Sequence, residues 1–172
     1  VVLSYHANAE AAAEVVSEIE AMGRKAVALQ LDTGKVADFD AFAATLKTQL
    51  SNVWGRNDFD HLVNNAGHGE CAPIGDVSEA MFDSLMDVHF KGVVFLTQTL
   101  LPLLADGGRI VNISSGLTRF SFPGYAAYAS AKGAVEVFTH YLATELGPRG
   151  ITANTIAPGA IETDFRGGAV RD

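Results

Sequence analysis

Apolar residues fall in short runs that alternate with stretches of helical periodicity along the whole chain. Five runs are typical of buried strands, and they cover residues 1–5, 26–31, 59–63, 109–114 and 151–157. Between them, apolar residues recur at helical spacing, which predicts helices over 8–22, about 39–50, 78–102 and 125–146. Asn8 and Ser78 are the predicted N-caps, and Gly23 is the predicted end of the first helix.

This order of elements predicts an α/β fold. Strands that alternate with helices form a parallel sheet with right-handed crossovers and helices on both faces. We therefore expect residues 1–172 to form one domain, a doubly wound parallel sheet (Rossmann fold) with three α/β/α layers. Ligands of such folds bind at the carboxyl ends of the strands. Polar and small residues follow three of the strands there, in "NNAG", "SSG" and "PGAIET".

Composition excludes several classes of partner. Twelve basic and twenty acidic residues give a net charge of −8, which argues against nonspecific binding to nucleic acid or to anionic membranes. The longest apolar stretch, "GVVFLTQTLLPLLA", is interrupted by Thr, Gln and Pro, so we expect no membrane span. The single cysteine, Cys71, excludes an internal disulfide and favours a reducing compartment, here the cytoplasm.

Tyr128 and Lys132 lie four residues apart in the last predicted helix. Side chains at this spacing are neighbours on one helix face. An ammonium group near a phenol favours the phenolate, so Lys132 is expected to lower the pKa of Tyr128. A tyrosine with such a pKa can donate and accept protons near neutral pH. The pair alone is a weak signal, because a Y-x-x-x-K spacing also occurs by chance.

Four motifs together resemble the short-chain dehydrogenase/reductase family, and in particular 3-oxoacyl-[acyl-carrier-protein] reductases. They are "DHLVNNAG", "GRIVNISS", "YASAK" and "PGAIET", each near a strand end and in the order of the family. Ser115 precedes Tyr128 by thirteen residues, which is the spacing of the family's catalytic serine and tyrosine. The resemblance implies an NAD(P)-dependent oxidoreductase that interconverts a carbonyl and a secondary alcohol by hydride transfer, and we expect it to act as a reductase.

The resemblance also implies a role for each matching residue. Tyr128 would exchange a proton with the substrate oxygen, Ser115 would hydrogen-bond that oxygen, and Lys132 would also hold the ribose of the cofactor. Ser114 is expected to be a structural hydroxyl. The residues implied to contact the dinucleotide are Asp32 and Thr33 near adenine, Asn65, Ala66 and Gly67 along the adenosine ribose, Tyr128 and Lys132, and Pro158, Gly159, Ile161 and Thr163 around nicotinamide. Asn64 is more simply interpreted as a sheet-stabilising amide.

Tyr5 and His6 lie where NAD-specific folds carry an acid that bonds the ribose 2′-hydroxyl. No carboxylate in "VVLSYHAN" would repel a 2′-phosphate, so NADP(H) is expected in preference to NAD(H). That stretch has no arginine either, and a selecting Arg or Lys could lie in a preceding turn.

Two features depart from the family pattern. His89 stands in "VHFKG" where the family has an asparagine of its proton relay. The imidazole could take part in that relay and titrate, or it could pack neutrally in the helix; the sequence leaves both open. The family's first strand and glycine-rich turn are also absent before Val1, so we expect about 30 residues, one strand and one crossover helix, to precede it.

Several alternatives stay open at this point. A non-catalytic dinucleotide-binding sensor or scaffold of the same fold is the main one, and an epimerase of the extended family branch fits less well. His61, His68, Glu70 and Cys71 are close in sequence, but their spacing matches no established metal site, and none is expected. Phe120 and Phe122 could line a substrate pocket or pack under their loop. The two long helices carry more apolar residues than the one face that packs on the core requires, which favours a homotetramer or homodimer.

Overall fold

The computed structural model describes residues 1–161, which contain five β-strands and five α-helices, with one or two helices between successive strands. The strands are β1 (Val2–Tyr5), β2 (Val27–Gln30), β3 (Phe59–Asn64), β4 (Leu104–Ile113) and β5 (Thr152–Ile156). The helices are α1 (Ala9–Ala21), α2 (Phe39–Gln49), α3 (Glu79–Met86), α4 (Gly92–Leu100) and α5 (Ala126–Leu146). Their types and order confirm the α/β fold predicted from the sequence.

The predicted helix caps are present. The Asn8 side chain accepts a hydrogen bond from the Ala11 N–H at 3.0 Å, and the Ser78 hydroxyl accepts one from the Met81 N–H at 3.1 Å. Each bond satisfies one of the N–H groups that a helix start leaves without a partner. Gly23 follows α1 with φ 74°, a left-handed conformation that glycine adopts without strain.

The predicted helix over 78–102 is divided. A π-helical turn over Asp87–Lys91 separates α3 from α4, and His89 lies inside this turn. π turns shift the backbone out of the regular α-helical hydrogen-bond pattern and occur often at functional sites. The interruption therefore places His89 in a locally distorted part of the helix.

The strands form two parallel sheets. One contains β1 and β2, and the other contains β3, β4 and β5 in that order. Tyr5 pairs with Gln30 in the first sheet, while Asn64 pairs with Asn112 and Ile113 with Ile156 in the second. Parallel pairing in this register brings the carboxyl ends of the strands in each sheet to a common edge.

A groove separates the two sheets. It has a volume of about 710 Å³ and is lined on one side by residues 1–4 and on the other by residues 59–65. Among the described strands, β1 pairs only with β2 and β3 pairs only with β4. The predicted single sheet is thus in two parts within residues 1–161, because no described strand lies between β1 and β3.

Helices pack on both faces of the strands. Phe39 and Leu46 of α2 pack with Leu96 of α4 in one core cluster, and Leu142 of α5 packs with Ile110 of β4 in another. Each fully buried Leu, Ile or Phe side chain stabilises the fold by about 1.5–3 kcal/mol. Within residues 1–161, every helix is too short or too polar to cross a lipid bilayer.

Candidate active site

The first turns of α5 carry Tyr128 and Lys132 into the protein interior. Both side chains are buried, with 9% and 4% of their surface exposed. The Lys132 ammonium donates a hydrogen bond to the Ile113 carbonyl at 2.8 Å, which ties α5 to the end of β4. Its Nζ lies 5.8 Å from the centre of the Tyr128 ring. The predicted pair is therefore on one helix face, and it is directed at the strand ends.

Two serines follow β4 and have different surroundings. Ser115 is buried next to Tyr128, and its hydroxyl is hydrogen-bonded to the phenol. The Ser114 hydroxyl instead donates to Glu136 Oε1 at 2.7 Å, away from the phenol. The structure thus brings Ser115, Tyr128 and Lys132 together and gives Ser114 a structural bond.

Burial controls the pKa values of this cluster. Burial raises the pKa of Tyr128, and the hydrogen bond with Ser115 opposes that effect without reversing it. Burial also lowers the pKa of Lys132 to about 8. The direction for Tyr128 is opposite to the one predicted from the Lys132 spacing. The reason is that removal of the phenol from water disfavours the phenolate, while the ammonium is bonded to a main-chain carbonyl.

His89 packs against the same tyrosine. Its ring meets the Tyr128 ring edge-on at 5.1 Å between centroids, and its Nε2–H donates to the His68 carbonyl at 2.7 Å. A Cβ atom on Gly67 would lie 2.7 Å from His89 Cε1, so the imidazole occupies the space beside this glycine of "NNAG". His89 therefore joins the loop after β3 to the π-helical turn, through its hydrogen bond to His68 and its contact with Gly67.

The His89 imidazole is neutral in this position. Burial, followed by the like charge of Lys132, lowers its pKa to about 3. Of the two interpretations left open by the sequence, this favours neutral packing over a titrating relay group.

We expect His89→Asn to leave the shape of the pH–rate profile unchanged between pH 5 and 8. His89 is already a neutral imidazole throughout that range, and an amide N–H can donate to the same carbonyl. The measurement is kcat/KM of both proteins across the range. A wild-type transition between pH 5 and 8 that disappears in His89→Asn would contradict a neutral His89.

Charged groups cluster beyond the end of β2. Asp32 lies 3.5 Å from His6 Nε2 and 3.3 Å from Lys35 Nζ, and it accepts the Gly34 N–H at 3.0 Å. The Gly34 hydrogen bond, with help from Lys35 and His6, holds the pKa of Asp32 below its ordinary value. The stretch "VVLSYHAN" itself has no carboxylate, and Asp32 lies beside the end of β1 because β2 pairs with β1.

The other cofactor residues predicted from the sequence lie at the strand ends. Tyr5 is half-buried at the end of β1, and Thr33 lines the groove together with Asn65 and Ala66. Asn65, Ala66 and Gly67 are exposed directly after β3. The Pro158 carbonyl accepts the Gly116 N–H at 2.7 Å, and Gly159 and Ile161 follow it at the surface. Thr163 lies outside the described residues.

A buried amide network supports the strand ends and confirms the structural interpretation of Asn64. The Asn64 amide donates to Thr97 Oγ1 at 3.0 Å and to Asn112 Oδ1 at 2.8 Å. Asn112 in turn donates to Thr139 Oγ1 at 2.8 Å. The network links β3, β4, α4 and α5, and two of its members, Asn112 and Thr139, were not predicted from the sequence. Their polar side chains within apolar segments were the signal, since buried amides and hydroxyls need hydrogen-bond partners.

The histidines near Cys71 do not converge. His61 is exposed on β3, while His68 contacts Ser84 Oγ at 3.3 Å and Glu70 Oε1 at 3.6 Å. Across the part of the chain that the structure describes, no three His, Cys, Asp or Glu side chains are grouped as metal ligands would be.

The segment between Ser115 and Tyr128 presents an apolar surface. Phe120 and Phe122 have 68% and 63% of their surface exposed, so neither packs under the loop. The Ala72 N–H donates to the Gly124 carbonyl at 3.0 Å, which joins this segment to the loop that carries the exposed Ile74.

Comparison with known proteins agrees with this geometry. The family model described as short chain dehydrogenase matches residues 1–172. The tetrahydroxynaphthalene reductase PfmaG of Pestalotiopsis fici is 35% identical over 165 residues, which are 95% of this chain and 57% of that protein. The hydroxynaphthalene reductase arp2 of Aspergillus fumigatus is 32% identical over 96% of this chain and 58% of its own length. The chain thus spans less than two thirds of these curated relatives.

Two solved structures have the same fold. The landomycin C-6 ketoreductase LanV, with bound NADP and rabelomycin, has a TM-score of 0.89 and 39% identity, covering 93% of this chain and 65% of that one. A short chain dehydrogenase from Burkholderia cenocepacia in complex with NADP has a TM-score of 0.87 and 35% identity, covering 98% and 67%.

Proposed function

Because the chain belongs to the short-chain dehydrogenase family, we propose that the full-length protein is an NAD(P)-dependent oxidoreductase that reduces a carbonyl to a secondary alcohol. One observation carries the proposal. The Ser115 hydroxyl is bonded to the buried phenol of Tyr128, and the Lys132 ammonium lies over the ring, 5.8 Å from its centre. This arrangement supplies a proton donor, a second hydrogen bond to the substrate oxygen and a positive charge.

The side chains at the strand ends suit a nicotinamide dinucleotide. The Lys132 ammonium has three N–H donors, of which one donates to Ile113, and ribose hydroxyls are acceptors for the others. The Asp32 carboxylate suits an adenine amino group, and the loop of Asn65, Ala66 and Gly67 has small or amide side chains that admit a ribose. When bound, the reduced nicotinamide supplies the hydride to the carbonyl carbon.

Tyr128 supplies the proton that accompanies the hydride. The phenol donates its proton to the substrate oxygen, while the Ser115 hydroxyl donates a hydrogen bond to that oxygen and stabilises its developing charge. Because burial raises the pKa of Tyr128, the phenol keeps its proton at neutral pH. The protonated form is the one that carbonyl reduction requires.

The proposed substrate is an apolar, aromatic carbonyl compound. Phe120, Phe122 and Ile74 form an exposed apolar surface next to the segment that joins Ser115 to Tyr128. Aromatic side chains at such a surface can stack on aromatic rings. Two of the relatives are named as hydroxynaphthalene reductases, and LanV was solved with rabelomycin.

The test is oxidation of NADPH and NADH by the full-length protein with a panel of aromatic ketones, simple ketones, 3-oxoesters and 3-oxoacyl thioesters. We expect oxidation that depends on the carbonyl compound and is fastest with an aromatic ketone. Fastest turnover of a 3-oxoacyl thioester would refute the substrate class and retain the reductase. Dinucleotide binding without turnover of any compound would instead indicate a non-catalytic nucleotide-binding protein.

NADP(H) is the proposed cofactor. The support comes from His6 and Lys35, which flank Asp32 and counter its charge near the end of β1, and from the two structures solved with NADP. We expect a higher kcat/KM with NADPH than with NADH. A comparable or higher kcat/KM with NADH would refute this preference.

The groove between β1 and β3 is proposed to hold a further parallel strand that precedes Val1. A strand there would bond the edges of residues 1–4 and 59–65 and join the two sheets. This assignment also proposes that residues 1–172 are part of one larger dinucleotide-binding domain. An active protein with a measured mass of 18.1 kDa, that of this sequence, would contradict it.

A cytoplasmic homo-oligomer, a tetramer or a dimer, is the proposed state of the protein. Phe82, Phe95, Val137 and Tyr141 on the α3, α4 and α5 helices are apolar yet exposed. Burial of such residues against a second copy would stabilise an interface. Light scattering that shows a monodisperse monomer would count against the oligomer, and cell fractionation tests the compartment, for which the single cysteine is the support.

A further inference from the structure

Glu136 links three parts of the chain around Ser115. Its Oε1 atom accepts a hydrogen bond from the Ser114 hydroxyl at 2.7 Å and lies 2.9 Å from the Thr118 hydroxyl. Ser114 directly follows β4, and Thr118 belongs to the 3₁₀ turn that follows Ser115. One carboxylate oxygen on α5 thus contacts hydroxyls on both sides of Ser115 in the sequence.

The turn itself also fixes Ser115. The Ser115 hydroxyl accepts the Leu117 N–H at 3.2 Å, and the Ser115 carbonyl accepts the Thr118 N–H at 3.2 Å. The Thr118 hydroxyl lies 2.9 Å from that same carbonyl. Since a hydroxyl has one hydrogen, Thr118 shares it between Ser115 and Glu136. The orientation of Ser115 therefore depends on a turn that Glu136 holds against α5.

The position of Glu136 on the helix connects it with the catalytic residues. Glu136 follows Lys132 by one helical turn, as Lys132 follows Tyr128, so all three lie along one face of α5. The same helix consequently presents the phenol to Ser115 and the carboxylate to the residues that flank Ser115. Hydrogen bonds to a charged acceptor are stronger than those between neutral groups, so the carboxylate can hold this short turn against α5.

We propose that Glu136 is a positioning residue that holds the Ser115 hydroxyl in line with Tyr128 by bonding Ser114 and Thr118. The inference rests on the proposed function, in which Ser115 stabilises charge on the substrate oxygen. Glu136 touches neither the substrate oxygen nor the phenol in this scheme. Its effect on turnover therefore passes through Ser115.

The kinetic test is a double-mutant cycle with Ser115. Ser115→Ala is expected to lower kcat by about 10²–10³-fold, as for loss of one oxyanion donor. Glu136→Ala should lower kcat about tenfold in the wild-type background and by less than about threefold in the Ser115→Ala background, because coupled residues are not additive. Glu136→Gln keeps an acceptor oxygen and should stay within about threefold of wild type. Glu145→Ala, an exposed glutamate of the same helix, is the matched control.

Equal losses from Glu136→Ala in the two backgrounds would overturn the inference, as would a Gln variant that is as impaired as the Ala variant. Thr118→Val provides a second approach if Glu136→Ala does not fold. It removes the other end of the link and should reproduce the same pattern of coupling with Ser115.

A spectroscopic readout separates this inference from the proposed function. The absorbance of tyrosinate, taken for each protein as its titration minus that of the same protein carrying Tyr128→Phe, reports ionisation of Tyr128 without any substrate. His89, Lys132 and Tyr125 face this phenol in all variants, and both Glu136 variants lose the same carboxylate charge. We expect the pKa of Tyr128 to be higher in Glu136→Ala than in Glu136→Gln, because only the alanine variant releases Ser115.

Equal Tyr128 pKa values in the two variants would overturn the positioning role even if the enzyme is a reductase. A wild type that reduces no carbonyl compound, with the two pKa values different, would refute the proposed function and retain the role of Glu136.

Discussion

Replacement of Tyr128 by phenylalanine is expected to lower kcat by about 10²–10⁴-fold, the contribution of a well-placed general acid. The substitution removes the transferable proton and leaves the ring, which packs edge-on against His89. The fold and the cofactor site should therefore survive. The measurement is kcat of the full-length protein with its best carbonyl substrate, together with the dissociation constant for NADPH, which should change little.

Tyr125 provides the matched control for this substitution. It caps the start of the same helix three residues earlier, and it has no lysine one turn further on. Tyr125→Phe should retain substantial turnover. An inactive Tyr125→Phe combined with an active Tyr128→Phe would show that the assignment of the proton donor is wrong.

Strand and helix positions could be predicted because local patterns determine them. Each predicted strand overlaps an observed one, and both predicted N-caps make their hydrogen bonds. Alternation of short apolar runs with helical periodicity leaves few other arrangements in an α/β fold. The division of the sheet was not predictable from these patterns, since it depends on which strand edges meet in space.

Side-chain environments were harder to predict than positions. The sequence placed Lys132 beside Tyr128 but gave no measure of burial, and burial reverses the expected direction of the Tyr128 pKa. The role of Glu136 was missed for a related reason. A glutamate one turn after Lys132 reads as an exposed helix residue, and only the fold brings it to Ser114 and Thr118.

Lys132→Met is expected to abolish most turnover while leaving the protein at least as stable as wild type at pH 7. Loss of the positive charge beside the phenol should lower kcat by about 10²–10³-fold, the range for one electrostatic contact at a reacting centre. Stability should respond differently, because the ammonium is buried at a cost. A pKa lowered from 10.5 to about 8 corresponds to about 3 kcal/mol, at 1.36 kcal/mol for each pH unit.

The sign of this effect changes with pH in a defined way. Below pH 8 the ammonium is charged in both the folded and the unfolded protein, so the cost of burying it is fully present. Between about pH 8 and 10.5 the folded protein loses the proton first, the unfolded state binds more protons, and wild-type stability rises with pH. Lys132→Met also leaves the Ile113 carbonyl without its donor, which reduces its stability advantage by about 1–3 kcal/mol. The advantage that is left should shrink between pH 8 and 10.5, because wild-type stability rises over that window.

Urea unfolding at pH 7 and at pH 10 measures the difference, and Lys47→Met, an exposed lysine of α2, controls for the general effect of replacing a lysine. Lys47→Met should have wild-type turnover, and its free energy of unfolding relative to wild type should be the same at the two pH values. If Lys132→Met instead loses several kcal/mol of stability at pH 7, then the bond to Ile113 outweighs the cost of burial. In that case the main role of Lys132 is to hold α5 to β4. The lost turnover of Lys132→Met would then result from displacement of α5 and not from the missing charge.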